Sequence, residues 1–117
     1  MRNNTPFASL FDGRVVVITG AGSGIGRATL DALLDAGATV IAHLGRKSHG
    51  ISNTDQLHAT TGDFTKREDQ HAFTNFVKAQ TDRVDVLINN AGTMFGRFPA
   101  AALSESDYAN IVSLNQD

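Results

Sequence analysis

The sequence of 117 residues predicts an α/β fold with a parallel β-sheet, on the strength of three observations. Short β-branched runs recur along the chain, stretches with helical spacing separate them, and a glycine-rich segment joins the first run to the first helix. Two strands separated by a helix pair in parallel, because the chain must cross back before it forms the second strand. A chain of this length forms one compact core, so we expect a single domain over residues 1–117.

The first unit is a strand, a turn and a helix. Residues 14–19 read RVVVIT, a continuous apolar run that is typical of a strand buried on both faces of a parallel sheet. From residue 25 to residue 36 the apolar side chains have helical spacing, and Gly37 is a suitable stop signal. The helix face that we expect to be buried consists of Ile25, Ala28, Ala32, Leu33 and Ala36.

The later elements follow from the same two periodicities. They are a second strand at 38–43, a polar loop at 45–56, a third strand at 57–60, a helix at 66–81, a fourth strand at 84–88, and a last helix from about Ser104 through Ile111 and Leu114. The predicted order is β-α-β-β-α-β-α.

Composition excludes several classes of function. The net charge is −2 and the Lys and Arg residues are scattered, so the chain offers no basic surface to a phosphate backbone and we expect no nucleic-acid partner. The absence of cysteine excludes disulfides and thiolate metal sites. No run of about 18 apolar residues is present, which excludes a membrane partner.

Two further expectations concern metals and location. The histidines have no spacing such as His-x-x-x-His, so no metal site is expected, and His43 comes near a ligand only because it ends the second strand. Residues 1–14 lack the apolar stretch of a secretory signal, which favours the cytoplasm.

A glycine-rich turn at residues 19–26, TGAGSGIG, follows the first strand and opens the first helix. Glycine adopts positive φ and, having no Cβ, lets backbone N–H groups approach a pyrophosphate at the positive end of the helix dipole. This context predicts a dinucleotide site. A glycine-rich turn without a ligand is the plainer alternative. No Gly-Lys-Ser or Gly-Lys-Thr follows, which disfavours an ATP-binding phosphate loop.

The alternating glycines Gly20, Gly22 and Gly24 are also similar to the first motif of Rossmann-like methyltransferases, which bind S-adenosylmethionine. That family has an acidic residue just before the glycines, whereas Ile18 and Thr19 stand here. Binding of S-adenosylmethionine is therefore an outside alternative.

The spacing of the glycines separates the dinucleotide-binding families. Gly20, Gly24 and Gly26 fit Gly-x-x-x-Gly-x-Gly, whereas the common Gly-x-Gly-x-x-Gly would require a glycine at Ile25. The first of these two patterns resembles that of the short-chain dehydrogenase/reductase family.

Three more motifs of that family follow in order. They are Asp63 in Gly-Asp-Phe-Thr after the third strand, Asn-Asn-Ala-Gly at residues 89–92 after the fourth, and Asn115 near the end of the chain. Over residues 14–117 the sequence thus resembles the N-terminal, cofactor-binding half of the family. The resemblance implies a Rossmann-like doubly wound parallel sheet, truncated here after about four strands.

The resemblance also implies roles for individual residues. Asp63 would accept a hydrogen bond from the adenine amino group, residues 89–92 would line the adenosine and support the sheet, and Asn115 would be catalytic. Each of these residues also has a purely structural alternative when it is taken singly. Asp63 could be a turn residue, Asn89 and Asn90 could cap the end of a strand, and Asn115 could be an exposed helix residue. The full set of expected cofactor contacts is Gly20, Ser23, Gly24, Ile25, Gly26, Arg46, Lys47, Asp63, Phe64, Asn89, Asn90, Ala91 and Gly92.

The residues after the second strand favour NADP over NAD. In Rossmann folds that prefer NAD, an acidic residue at this place accepts hydrogen bonds from the ribose 2′-hydroxyl. Residues 38–54 contain no Asp or Glu, Leu44 stands where the acid would be, and Arg46 and Lys47 follow. Two cations suit a 2′-phosphate through charge-assisted hydrogen bonds. The alternative is that both are ordinary exposed charges, and Ser23 departs from the basic residue that many NADP-dependent relatives carry.

The sequence leaves two classes of function open. Hydride transfer in the family uses a serine and a Tyr-x-x-x-Lys pair that lies beyond Asn115. Tyr108 is the only tyrosine here, and the residue four positions later is Val112 and not lysine, so Tyr108 does not form that pair. The chain is therefore expected to be the cofactor-binding part of an NADP-dependent oxidoreductase with a small carbonyl or alcohol substrate, or else a noncatalytic dinucleotide-binding module. We also expect a homo-oligomer, because the fourth strand would be an apolar edge and the last helix would expose apolar side chains.

Overall fold

A computed structural model of the chain describes residues 9–91 and the backbone of residues 112–113. The strands are β1 (Val15–Thr19), β2 (Thr39–His43), β3 (Leu57–Thr60), β4 (Val86–Asn89) and β5 (Val112–Ser113), and the helices are α1 (Gly24–Asp35) and α2 (Arg67–Gln80). The predicted bounds of β1 to β4 and of both helices are confirmed to within two residues. Residues 45–56 form the expected loop between β2 and β3.

The strands form one sheet in the order β3-β2-β1-β4-β5, and each neighbouring pair is parallel. The chain first proceeds outward from β1 to β3 and then returns to the other side of β1 to form β4. This is the strand order of a doubly wound α/β sheet, and the predicted fold class is confirmed. Ligands of such sheets bind beyond the carboxyl ends of the strands where the order reverses, which here is between β1 and β4.

The two helices cover opposite faces of the sheet. Side chains alternate along a strand, so Val16 of β1 packs on the α1 side, beside Leu30 and Leu33 of α1. Val17 points to the other side and belongs to a second apolar cluster with Phe73 of α2. Because both faces are covered, the strands carry the continuous apolar runs that the sequence shows.

The buried face of α1 agrees with the predicted one only in part. Leu33 and the C-cap Ala36 are buried as predicted, but the other buried residues of the helix are Gly26 and Leu30, whereas Ile25 is 80% exposed. Ala28 and Ala32 are exposed as well. The preceding turn brings Gly26 against the carbonyl group of Gly20, so this side of the helix faces the sheet. The helical spacing of apolar residues could not by itself distinguish the buried face from a neighbouring apolar stripe, displaced from it by about one residue.

The end of α1 is as predicted. Gly37 has a φ of 93° and donates its N–H to the carbonyl of Leu34, while the N–H of Ala38 reaches the carbonyl of Leu33. This pair of hydrogen bonds is the Schellman motif, in which glycine takes the left-handed conformation just after the helix.

The last predicted helix is wrong at residues 112–113, which form β5 instead. Val112 is in register with Val86 and Ser113 with Leu87. Without a neighbour, β4 would present unpaired backbone N–H and C=O groups, and pairing with a β-branched residue relieves this. The edge of β4 that we expected to be open is therefore covered at these two positions. The other residues of that predicted helix lie outside the described residues.

Neither α1 nor α2, the helices of the described part of the chain, has the length and apolar composition needed to cross a membrane.

The corrected face of α1 is testable through stability. Leu30 is 1% exposed, so Leu30→Ala should lower the free energy of unfolding by about 2–5 kcal/mol, as expected for a truncated core side chain. Ile25→Ala is the control in the same helix and should change this free energy by no more than about 0.5 kcal/mol. Urea denaturation measures both values. Equal losses for the two variants would contradict the observed face.

Candidate functional site

A cavity of about 370 Å³ lies at the carboxyl ends of the first four strands. It is lined by Gly20, His43, Gly45, Arg46, Gly62, Asp63, Phe64, Thr65, Asn90 and Ala91. Each of β1, β2, β3 and β4 contributes residues from its C-terminal end, and the cavity includes the point where the strand order reverses. This is where the doubly wound sheet predicts a ligand.

The structure brings about half of the predicted site residues to this cavity. Those that line it are Gly20, Arg46, Asp63, Phe64, Asn90 and Ala91. Those that lie outside its lining are Ser23, Gly24, Ile25, Gly26, Lys47 and Asn89. Gly92 and Asn115 lie outside the described residues.

The glycine turn is built by a close approach of two backbone segments. Gly20 has a φ of 66°, and a Cβ there would stand 3.1 Å from backbone atoms of Asn90 and Ala91. A Cβ on Gly26 would overlap the carbonyl oxygen of Gly20, and one on Gly22 would overlap the carbonyl oxygen of Leu44. Glycine is therefore required at these positions by space, and at Gly20 also by conformation.

The residues at the tip of the turn face outward. Ser23 is the N-cap of α1 and its side chain makes no capping hydrogen bond. Gly24 has a φ of 59° with open space around its Cα, and the side chain of Ile25 is exposed. The start of α1 is therefore exposed at residues 23–25, and the first N–H groups of a helix lack partners within the helix, as an anion site requires.

Thr19 ties the end of β1 to the end of β4. Its hydroxyl donates to Oδ1 of Asn89 at 3.0 Å and accepts the N–H groups of Asn90 at 2.9 Å and Ala91 at 3.1 Å. The amide Nδ2 of Asn90 donates to the carbonyl of Gly20 at 3.0 Å. The two asparagines thus support the turns at this end of the sheet, and Thr19 itself is fully buried.

His43 lies between the glycine turn and the turn after β3. Its Nδ1 accepts the N–H of Gly20 at 3.2 Å, and its Nε2 donates to the carbonyl of Gly62 at 2.8 Å. The ring stacks on Phe64 with centroids 3.6 Å apart, and it is only 3% exposed. Burial lowers the pKa of His43, although its bond to Gly62 and the carboxylate of Asp69 oppose this. The neutral imidazole is therefore favoured.

Asp63 is held as a carboxylate at the edge of the cavity. Its Oδ1 accepts the hydroxyl of Thr65 at 2.6 Å and the N–H of the same residue at 3.0 Å. These hydrogen bonds lower the pKa of Asp63, and the charges of Arg46 and Lys66 act in the same direction. Its N–H is bound by Oδ2 of Asp69 at 2.8 Å, which fixes the turn. An ionised acceptor thus faces the site.

The segment after β2 presents a cation to the cavity. The side chain of Leu44 is buried in the core, so the residue at the position of the usual acid is turned away. Arg46 is exposed, and it is the one cation among the described residues that line the cavity. Lys47 is exposed outside the lining.

Four residues that line the cavity were not among the predicted cofactor contacts, namely His43, Gly45, Gly62 and Thr65. Thr19, which joins β1 to β4, was not assigned to the site either, because a single polar residue at a strand end has several roles that the sequence cannot separate. A buried polar residue in an otherwise apolar strand was the available signal, since such residues need partners. Thr19 and His43 both end apolar runs in this way.

Within residues 9–91, no three His, Asp or Glu side chains are close enough to hold a metal ion.

Comparisons with known proteins decide the family. The family model described as short chain dehydrogenase matches residues 14–117, which is most of the chain. The chain belongs to the short-chain dehydrogenase family. This membership gives no support to the methyltransferase alternative.

One curated relative and two solved structures illustrate the similarity. The short chain dehydrogenase/reductase astE of Aspergillus oryzae is 32% identical over 111 residues, covering 88% of this chain and 42% of that protein. A short-chain dehydrogenase from Streptomyces avermitilis has a TM-score of 0.61 and 38% identity, over 68% of this chain and 32% of that one. A 3-ketoacyl-(acyl-carrier-protein) reductase from Brucella melitensis complexed with NADH has a TM-score of 0.59 and 29% identity, and the match covers 67% of this chain and 34% of that one.

This short-chain dehydrogenase chain spans less than half the length of each of these relatives.

The hydroxyl of Thr19 provides a test of the junction between β1 and β4 in this short-chain dehydrogenase chain. Thr19→Val keeps the shape but leaves the N–H groups of Asn90 and Ala91 without their acceptor, so the free energy of unfolding should fall by about 1–3 kcal/mol. Thr29→Val is the matched control, because its hydroxyl only donates to a carbonyl within α1. The control should change stability by no more than about 0.5 kcal/mol in urea denaturation. Similar losses for both variants would contradict a special role for Thr19.

Proposed function

We propose that this chain is the NADP(H)-binding part of an oxidoreductase that transfers a hydride between the cofactor and a small carbonyl or alcohol substrate. The observation that carries the proposal is the cavity at the reversal of the strand order, which is lined by the Asp63 carboxylate, the Arg46 cation and Gly20, the first glycine of the adjoining glycine turn. These three groups match the three polar parts of NADP, which are the pyrophosphate, the adenine amino group and the 2′-phosphate.

The pyrophosphate is assigned to the glycine turn. Residues 23–25 lie at an exposed surface where α1 begins, and Gly24 has open space where a side chain would otherwise stand. The first N–H groups of a helix have no partners within the helix and carry the positive end of its dipole. Ser23 and Ile25 flank this position, so we assign both to the cofactor contacts.

The adenosine is assigned to the turns after β3 and β4. The carboxylate of Asp63 accepts from the adenine amino group, while Asn90 and Ala91 line the cavity beside it. The ring of Phe64 is buried and stacks on His43, so we assign it to the inner wall of the cavity and not to stacking on the adenine ring. Asn89 acts through Thr19, to which it is hydrogen-bonded.

NADP is proposed over NAD because of charge. An acid that would accept the 2′-hydroxyl is absent from residues 38–54, and Arg46 lies at the cavity with Lys47 next to it. Arginine forms paired, charge-assisted hydrogen bonds with phosphate oxygens. NAD is the second candidate cofactor, since the related Brucella melitensis reductase is complexed with NADH.

The bound cofactor supplies or accepts the hydride, and the residues of this chain bind and orient it. Asn115 is proposed as the catalytic residue within this chain, which contains no Tyr-x-x-x-Lys. The second candidate function is a noncatalytic dinucleotide-binding module. NADPH-dependent reduction of a carbonyl compound by the complete protein separates the two, since a module would bind the cofactor without turnover.

Self-association and a cytoplasmic location stay predictions. The edge of β4 that was expected to recruit a second copy is covered at Val86 and Leu87, and the apolar residues near Tyr108 lie outside the described residues. Sedimentation of the chain at high concentration tests the oligomer, and a strict monomer would contradict it.

Arg46→Ala tests the choice of cofactor. Loss of a charge-assisted contact with the 2′-phosphate should weaken NADPH binding about 10-fold to 100-fold while leaving NADH within about twofold. Lys78→Ala is the control, because it removes the same charge from the last turn of α2 at the far end of that helix. Fluorescence titration with both cofactors gives the dissociation constants. Equal weakening of NADPH and NADH would remove the assignment of Arg46 to the 2′-phosphate.

Gly24→Val tests the pyrophosphate site. A branched side chain would fill the open space at the turn and should weaken both cofactors about 10-fold or more. Gly13→Val is a matched control, because Gly13 also has a positive φ of 78° with open space, but it precedes β1 at the opposite end of the sheet. Both variants should lose stability through backbone strain, and only Gly24→Val should lose affinity. Unchanged affinity in folded Gly24→Val would show that the glycine serves the turn alone.

A further inference from the structure

We propose that His43 is a positioning residue for the dinucleotide, whose neutral ring holds the glycine turn and the turn after β3 at a fixed separation. The inference rests on the proposed dinucleotide binding and concerns a residue that is itself largely inaccessible to a ligand. Its ring joins the part of the site assigned to the pyrophosphate to the part assigned to the adenine.

The hydrogen bonds of His43 reach two separate segments of the site. Nδ1 accepts from the N–H of Gly20, the first glycine of the turn, and Nε2 donates to the carbonyl of Gly62, directly before Asp63. Phe64 stacks on one face of the ring, and Phe73 of α2 meets it at 5.8 Å in an edge contact. Packing and both hydrogen bonds therefore fix the position of the ring.

The geometry specifies one protonation state. A backbone N–H can only donate, so Nδ1 must carry a lone pair toward Gly20 and the single ring proton must lie on Nε2. Adding a second proton would put an N–H on Nδ1 against the N–H of Gly20. The charged ring therefore cannot make the bond that the neutral ring makes, and the two turns lose their link.

Some groups around His43 favour the charged ring, and burial favours the neutral one. Asp69 of α2 favours the imidazolium, and Asp63 and Arg46 are the ionised groups at the adjoining cavity. Phe64 and Phe73, which pack against the ring of His43, are uncharged. Burial outweighs the carboxylate of Asp69, so the pKa of His43 lies below the ordinary histidine value of 6.5.

The consequence is a dependence of cofactor binding on pH. Above about pH 6.5 the ring is neutral and both turns are held, whereas acidification toward its lowered pKa breaks the bond to Gly20. The stability that comes from the neutral ring is complete above 6.5 and decreases as the pH falls below that value. Cofactor affinity should decrease at lower pH than this, because it follows protonation of the ring in the folded protein around its lowered pKa.

Three variants separate the two hydrogen bonds. His43→Asn places an amide near the position of Nδ1 and can still accept from Gly20, His43→Gln places one near Nε2 and can still donate to Gly62, and His43→Leu does neither. We expect His43→Leu to weaken NADPH and NADH equally, by about tenfold or more at about pH 8, with the preference between them unchanged. This differs from the selective loss expected for Arg46→Ala.

The decisive measurement is the dissociation constant of NADPH between about pH 5 and pH 8. The 2′-phosphate of NADPH also changes its charge with pH, so the inference is tested on the difference between the wild-type and His43→Asn profiles, which share this group. We expect the wild type to lose affinity more steeply below pH 6.5 than His43→Asn, and His71→Asn, which removes an exposed histidine of α2, to follow the wild type.

The outcomes distinguish this inference from the function on which it rests. Parallel profiles for the wild type and His43→Asn, or wild-type affinity in folded His43→Leu, would overturn the role of His43 while leaving dinucleotide binding intact. Failure of the wild-type chain to bind NADPH or NADH at any pH would overturn the proposed function and the positioning role together. Nitrogen chemical shifts showing a neutral ring protonated on Nδ1 would also overturn the inference, because that tautomer cannot accept from Gly20.

Discussion

The carbonyl group of Gly20 is the contact on which the rest of the site depends. Its oxygen accepts Nδ2 of Asn90 and lies so close to Gly26 that a Cβ there would overlap it. One group therefore contacts both the turn after β4 and the start of α1. In the same arrangement Leu30 is buried and residues 23–25 are exposed, which is the condition for an anion site.

Polar groups at the ends of the strands complete this arrangement because their hydrogen bonds cross between elements. Thr19 joins β1 to the turn after β4, and His43 joins the glycine turn to the turn after β3. A buried polar group that loses its partner is costly, so each of these contacts keeps two turns in one relative position. The cavity is therefore preformed by the strand ends rather than by flexible side chains, as is usual for cofactor sites.

The charges at the cavity are arranged for a ligand that carries both donors and anions. The hydrogen bonds of Thr65 keep Asp63 ionised, and the positive charge of Arg46 assists. A carboxylate suits the adenine amino group, whereas a guanidinium suits a phosphate. The two opposite charges lie on different turns of one cavity, and this arrangement is the basis for proposing NADP, which carries both an adenine amino group and a 2′-phosphate.

The sequence by itself determined the α/β class, β1 to β4, both helices and the glycine turn, because these depend on local periodicity and on the special backbone freedom of glycine. It also placed Asp63 and Asn90 at the site through the family resemblance. Only the tertiary structure decided that Leu30 of α1 is buried and Ile25 is exposed, since both are apolar and only Leu30 packs in the core against the sheet. It also decided that Val112 pairs with β4 and that His43 bridges two turns. These features depend on partners far away in the chain, and a local pattern contains no information about such partners.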